Sequence, residues 1–494
     1  MLMIKSNMPG FEYDIHSLVK AFYGEKTVKV VSMEVCRQEA DKMSIEPFLC
    51  VELFLDEGKV ECTFFPDENH VEAEKFLWEF EIDLLKEKKT FKNEFKKFFY
   101  QYLCRITGKE LPWGNLTGIR PTKIAMGMIE EGMEENKILA FLETEHFVSR
   151  EKAELSLDIA KREQKLLSSI HYEDGYSLYI GIPFCPTTCL YCSFTSYPIC
   201  SFREKVEKYI DCLVEEMDFV AKAYKGKVLD TVYIGGGTPT TLEATQLDRL
   251  ICALKDRFSF EQVKEFTVEA GRADSITKEK LEVLFSHGVT RISVNPQTMK
   301  EETLRLIGRR HTVEQVKEAF GLAREVGFTN INMDLILGLP EETKEDVERT
   351  ISEIRKLAPD SLTIHSLAIK RASKLNEWVE KNGISMLKNT DETMEIAARG
   401  AKELSMKPYY LYRQKNMAGN FENVGYAREG CFGIYNILIM EEKQTIVALG
   451  AGSITKRVYP DGRIERCDNV KDVSQYMERI EEMIERKREL LKES

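Results

Sequence analysis

The sequence lacks the features that would send a chain to a membrane or out of the cell. Its opening residues, MLMIKSNMPGFEYD, hold no apolar run of signal-peptide length. No stretch reaches the roughly 18 apolar residues of a membrane span, so a cytoplasmic chain with no membrane span is expected. Positive charge is in deficit: 70 Lys and Arg stand against 82 Asp and Glu, a formal net charge of -12. That balance argues against a surface that coats nucleic acid and leaves room only for local basic patches. Low-complexity tracts are absent, as is any repeat beyond a strand–helix alternation. What is present describes an ordinary globular protein, with 43% hydrophobic and 31% charged residues. At 494 residues the chain is too long for one small core, and two or three domains are expected.

From Tyr176 onward, short β-branched and aromatic runs alternate with amphipathic helical stretches. The strand candidates are YSLYIGIP, DTVYIGGG, KEFTVEAG, VTRISVNP, NINMDLIL and DSLTIHSL. Six such repeats with apolar strands predict an α/β fold, a parallel sheet wound as a barrel or partial barrel. Chemistry in such folds sits at the C-terminal ends of the strands. The polar candidates Glu269, Asn295, Gln297 and Asp334 all fall at or near that edge, as do GGGTP and a cysteine cluster. Before this region, residues 25–66 read as alternating strands and the chain to about residue 170 as helical. The expected division is an N-terminal α+β domain over 1–170, a barrel over 171–385 and a C-terminal α+β extension over 386–494, with a hairpin at YNILIMEEKQTIVALGAGS. Residues 86–123 carry ten Lys or Arg against three Glu. They read as a solvated helix face or as a surface for an anionic partner.

Twelve cysteines need a place in a reducing compartment, where clustered thiols read as metal ligands or redox groups. Eight stand alone, at Cys36, Cys50, Cys62, Cys104, Cys212, Cys252, Cys431 and Cys467, and read as small buried hydrophobes. The other four crowd into Cys185 to Cys200. Within GIPFCPTTCLYCSF, Cys185, Cys189 and Cys192 have C-x3-C-x2-C spacing, and Cys200 reads as a spectator. Three thiolates from one loop can ligate three irons of a 4Fe–4S cubane and leave the fourth open. S-adenosylmethionine (SAM) suits that open iron through its amino and carboxylate groups, and the radical chemistry is then the cofactor's. A closed zinc site would need a fourth ligand, and no second C-x2-C or H-x3-H pair supplies one. GGGTP lets backbone approach a ligand closely. Glu269, Gln297, Arg309 and Asp334 offer hydrogen bonds and charge partners to it.

The run YIGIPF, C-x3-C-x-Y-C, GGGTP, VNPQT, RR and DLILGLP resembles the oxygen-independent coproporphyrinogen III oxidases, radical SAM enzymes. The match is strongest over residues 176–345. GYAREGCFGIYN and ALGAGS resemble the family's C-terminal signature, and WGNLTGIRPTK its longer branch with an extra N-terminal domain. The resemblance implies a partial (β/α)6 barrel, a cluster on Cys185, Cys189 and Cys192, and Tyr179 packed beside it. It implies SAM contacts from Gly237, Thr238, Glu269, Gln297, Arg309 and Asp334. The implied activity is coproporphyrinogen dehydrogenase, an oxidoreductase of haem biosynthesis that converts two propionates of a porphyrinogen to vinyl groups with loss of carbon dioxide. It needs an electron donor for the cluster and an external electron acceptor. Two departures stand out: the better-known oxidases have a further cysteine where this chain has Phe194, and His where it has Gly181. Relatives lacking that cysteine include haem chaperones and radical SAM methyltransferases that open the haem ring. Haem binding or anaerobic haem modification is therefore one alternative expectation; RNA modification, with the N-terminal domain as the binding module, is another, and the basic stretch is a candidate seat for propionates.

Overall fold

The computed structural model describes residues 2–24, 26–33, 48–65, 74–118, 120–370, 373–414 and 421–492. The chain forms two compact units, Met1–Leu157 with Arg413–Asn420, and Asp158–Tyr412 with Phe421–Ser494. In the first, strands β1 (Leu2–Ser6), β2 (Val28–Ser32), β3 (Leu49–Phe54), β4 (Lys59–Phe64) and β5 (Glu74–Glu79) make one sheet in the order β2-β1-β3-β4-β5. The helix Lys88–Thr107 places Phe91, Phe95, Phe99 and Leu103 four residues apart. That spacing makes one stripe, and all four side chains are buried in the core of this unit. Strand β5 lies where helix was expected. Phe76 and Trp78 alternate with exposed neighbours along it, a period of two too brief to register in the sequence. On this helix the basic residues Lys92, Lys96 and Lys97 are half-buried, and two of them have acids at hand: Lys92 pairs with Asp14 at 2.7 Å, and Lys97 with Glu94 and Glu145.

The second unit carries β6 (Gly175–Ile182), the two-residue strands β7 (Phe184–Cys185) and β8 (Tyr197–Pro198), β9 (Val228–Gly236), β10 (Glu265–Gly271), β11 (Arg291–Val294), β12 (Ile331–Leu337) and β13 (Ser361–Ser366). The six longer strands are parallel neighbours in the order β6-β9-β10-β11-β12-β13, with helices between them. This is the expected α/β partial barrel. β14 (Lys407–Tyr412), β15 (Asn423–Ala427), β16 (Ile446–Leu449), β17 (Ile454–Val458) and β18 (Ile464–Asp468) belong to the same sheet. β16 runs parallel to β6, pairing Ile446–Leu449 with Ser177–Ile180, and β15 runs antiparallel to β13.

The observed division differs from the expected 1–170, 171–385 and 386–494. Strands after residue 386 complete the barrel sheet's hydrogen bonding on both edges, so they share its core. The helix Arg150–Leu167 continues through the boundary near 157. The expected hairpin is also corrected. Ile434–Glu441 is a helix that buries Tyr435, Ile437, Leu438 and Glu441, and the antiparallel turn lies further on, between β16 and β17. An apolar run this short fits a buried strand or a buried helix equally well.

A buried ionic knot fastens the C-terminal helix to the barrel. Glu216 and Lys487 are 0% and 1% exposed and 2.7 Å apart. Gly450 N, Asn469 Nδ2 and Tyr476 Oη also donate to the Glu216 carboxylate, at 2.7, 2.9 and 2.5 Å.

Candidate functional site

The cysteine loop leaves β6 through Pro183 and is pinned at both sides. Leu190 N donates to Ile307 O at 3.0 Å, Leu375 N donates to Leu190 O at 2.9 Å, and Thr187 Oγ1 donates to Gly308 O at 2.8 Å. Cys189 is buried, and Cys185 and Cys192 are half-buried. All three are unbridged thiols close enough to act on one another electrostatically. Burial pushes the Cys185 thiol up to about 11, opposed by a hydrogen bond from Thr238 Oγ1 at 3.5 Å, and burial also raises Cys192. Without a metal, then, the Cys185 and Cys192 thiols resist ionisation. Cys200 is exposed.

Two guanidinium groups face the loop. Arg309, 6% exposed, donates to Tyr191 Oη at 3.2 Å and to Asn295 O, and its charge acts on Cys189. Arg272, 3% exposed, lies 3.9 Å from Cys189 Sγ and donates to Thr187 Oγ1 at 2.7 Å. Its other nitrogens grip Asp274. Burial would raise the Asp274 carboxyl, but His311 and Arg272 outweigh that and hold it well below the usual carboxylate range. Arg272 escaped the sequence reading, although it stands three residues after Glu269 in EAGR. Only the fold brings it to the cysteine loop.

The glycine run at the end of β9 is a ledge with no room for side chains. A Cβ on Gly237 would lie 2.6 Å from Phe184 O and 2.9 Å from Ile182 O, both backbone atoms. Gly236 has φ +108° and passes 3.1 Å, measured from its virtual Cβ, from Tyr179 Oη. Gly237 N and Thr238 N donate to Ile182 O and Phe184 O, locking the ledge to the start of the cysteine loop. Beside it, Glu269 accepts from Tyr233 Oη and from Gly236 N, the latter at 3.3 Å. Burial lifts its carboxyl to about 7. Tyr179, Tyr233 and Tyr435 stack, the closest pair with centroids 4.3 Å apart. Gln297 follows β11 with φ +68°, a conformation costly for a residue with a side chain. Its N and O bond Asp334 O and Ile336 N of β12. Asp334 accepts from Asn332 at 2.7 Å and lies 4.0 Å from His365 Nε2, whose other ring nitrogen meets Tyr412 Oη at 3.3 Å.

Of the residues singled out in the sequence, Cys185, Cys189 and Cys192 follow β6, Gly237 and Thr238 follow β9, and Gln297 and Arg309 follow β11, whereas Tyr179, Glu269 and Asp334 lie within β6, β10 and β12 of the same sheet. Direct contacts join Thr238 to Cys185, Arg309 to the loop, and Gln297 to Asp334 through backbone.

Residues 179–354 match the radical SAM superfamily. The oxygen-independent coproporphyrinogen-III oxidase-like protein HemZ of Bacillus subtilis is 42% identical over 410 residues, 81% of this chain and 82% of HemZ. The chain belongs to the oxygen-independent coproporphyrinogen III oxidase family of radical SAM proteins. The heme chaperone HemW of Lactococcus lactis is 37% identical over 240 residues, 49% of this chain and 61% of HemW. Among solved structures, the radical SAM enzyme coproporphyrinogen III oxidase (HemN) of Escherichia coli shares the fold, with a TM-score of 0.51 at 23% identity over 65% of this chain and 72% of HemN. Membership of this family implies SAM and a 4Fe–4S cluster as cofactors. The two departures have structural counterparts. Phe194 is 72% exposed, with the Lys370 ammonium over its ring at 5.8 Å. At Gly181 a Cβ would press Leu449 O at 3.3 Å and the Tyr179 ring at 3.4 Å, because β16 lies against β6 there. No described helix is long and apolar enough to cross a membrane.

Proposed function

We propose that the chain is an oxygen-independent coproporphyrinogen III oxidase, a coproporphyrinogen dehydrogenase, and that Cys185, Cys189 and Cys192 hold its 4Fe–4S cluster. The observation that carries the reading is the convergence of three unbridged thiols with the side-chain-free ledge at Gly236–Gly237. Backbone crowding at Gly237 fits a ledge for an amino-acid moiety. A 4Fe–4S cluster held by Cys185, Cys189 and Cys192 would supply the electron that turns SAM into a source of radical chemistry for propionate oxidation.

The chain's own residues do the rest. Arg272 and Arg309 place positive charge against the cysteine loop, which favours thiolate over thiol and offsets the cost of burying an anionic cluster. Thr238 donates to the Cys185 sulfur and fixes its orientation. Glu269, held by Tyr233 and Gly236 N, presents acceptors for ribose hydroxyls. The Tyr179, Tyr233 and Tyr435 stack excludes water beneath it. Gln297 and Asp334 hold the neighbouring strand ends in register.

The test is anaerobic incubation of the reconstituted protein with SAM, a reductant, an electron acceptor and coproporphyrinogen III, with products separated by mass. Stepwise loss of two carboxyl groups, abolished by Cys189→Ala, supports the reading. Cleaved SAM with intact porphyrinogen sinks the substrate assignment. A second reading, haem binding and hand-over, draws on the likeness to HemW over 240 residues and on Phe194 in place of a cysteine. Stable haem binding and transfer without decarboxylation would favour it.

A further inference from the structure

Of the isolated cysteines in the described residues, Cys62, Cys212 and Cys467 are buried, and Cys50, Cys104 and Cys431 half-buried. Cys36 lies outside the described residues. Cys252 departs from the expected hydrophobe because it is exposed. It sits on the helix Ala244–Arg257, four residues after Asp248, so both side chains leave the same face. The neighbouring helix Lys278–Ser286 ends at His287, whose ring turns toward that face. His287 Nε2 is 2.7 Å from Asp248 Oδ1 and 4.0 Å from Cys252 Sγ, and Cys252 Sγ is 4.0 Å from Asp248 Oδ1.

We propose that Asp248, Cys252 and His287 form a divalent-metal site of the zinc type on the outer helical layer, separate from the cysteine loop. The donor distances carry the argument. Zinc bonds near 2.3 Å to sulfur and about 2.0–2.2 Å to nitrogen and oxygen, arranged tetrahedrally, require donor separations of about 3.3–3.7 Å. The two contacts at 4.0 Å must close, and the contact at 2.7 Å must open, each by about half an ångström. Rotation about χ angles on fixed helices covers that adjustment.

The backbone under the trio is fixed. His287 N donates to Val283 O at 3.2 Å, Gly288 turns the chain away with φ +73°, and Val289 N returns to Leu284 O at 3.1 Å. The imidazole is 16% exposed, packed between the helices, whereas Asp248 is 56% exposed. A half-buried nitrogen donor, a sulfur donor and a flexible carboxylate make a mixed, borderline-soft set that favours zinc over magnesium or calcium. Water has access for the fourth position. A reactive thiol is the poorer reading of Cys252, because slight burial and the carboxylates of Asp248 and Asp256 push its thiol up, with only Lys255 opposing. A bound dication reverses that penalty by displacing the proton. Such a site would staple two consecutive barrel helices.

The test uses the full chain with its iron–sulfur cluster already reconstituted, so that the cluster cysteines are occupied. Anaerobic protein is given zinc sulfate, passed over a chelating resin and measured for zinc and iron by mass spectrometry. Wild type should retain about one zinc per chain, and Cys252→Ser and His287→Gln less than about a fifth of that, with iron unchanged in all three. Zinc should raise the melting temperature of wild type and leave that of His287→Gln in place. Equal zinc retention in wild type and both variants, or none in wild type, overturns the proposal. Because zinc and iron are counted separately, failure here leaves the assignment of the cysteine loop standing.

Discussion

Replacing Lys487 by Met should loosen the C-terminal helix Ile480–Leu491 far more than a surface change would. Met keeps most of the lysine's length, so packing is nearly conserved and the lost charge dominates. Lys487 Nζ donates to Glu216 Oε1 at 2.7 Å and to Asn469 Oδ1 at 2.5 Å, in a pocket sealed from water. Removing it leaves the Glu216 carboxylate buried, with Gly450, Asn469 and Tyr476 as uncharged donors. Breaking one partner of a buried pair costs about 3–5 kcal/mol. With a factor of ten for every 1.4 kcal/mol, amide exchange in this helix should speed up by about a hundred- to several-thousandfold where it proceeds through unfolding. Hydrogen–deuterium exchange with mass spectrometry reads this peptide by peptide. Glu216→Gln added to Lys487→Met should recover most of the loss, since it removes the unpaired charge and keeps an acceptor. A change below about threefold in the single variant, or no recovery in the double, would refute this account of the knot.

Other outcomes follow from the same geometry. Gly237→Ala should abolish SAM binding by isothermal titration while iron loading stays near wild type, because the new methyl meets backbone that cannot yield. Cys185→Ala, Cys189→Ala and Cys192→Ala should each cut iron retained after reconstitution to well below half, while Cys200→Ala, at an exposed position, leaves it unchanged. Glu269 binds its proton more tightly folded than unfolded, its carboxyl being lifted from 4.5 to about 7. Its contribution to stability is therefore complete below pH 4.5 and is lost as pH rises through about 7. Denaturation should show Glu269→Gln gaining on wild type between pH 5 and pH 8, and equal slopes would remove the assignment.

The barrel was legible because each of its strands is a short apolar run closed by a glycine, proline or polar residue, and helices of regular period separate them. The cysteine loop was legible from spacing alone. Arg272 was not, since nothing local distinguishes it from any arginine after a strand, and its contact with Cys189 spans 83 residues. Strand β16 was read as half of a hairpin because its pairing with Ser177–Ile180 is non-local. Tyr435 was invisible for a related reason: its stacking partners arrive from β6 and β9.

The position of β16 also bears on how the protein is made. β6 is the first barrel strand to leave the ribosome, yet one of its two neighbours is encoded about 270 residues later. Through most of synthesis that edge carries unpaired amides and carbonyls beside the cysteine loop, a template for wrong partners. The sheet closes around β6 only when Ile446–Leu449 emerges. Assembly of the proposed cluster would thereby wait for the β16 segment, so truncated products ending before residue 446 should be insoluble and free of iron.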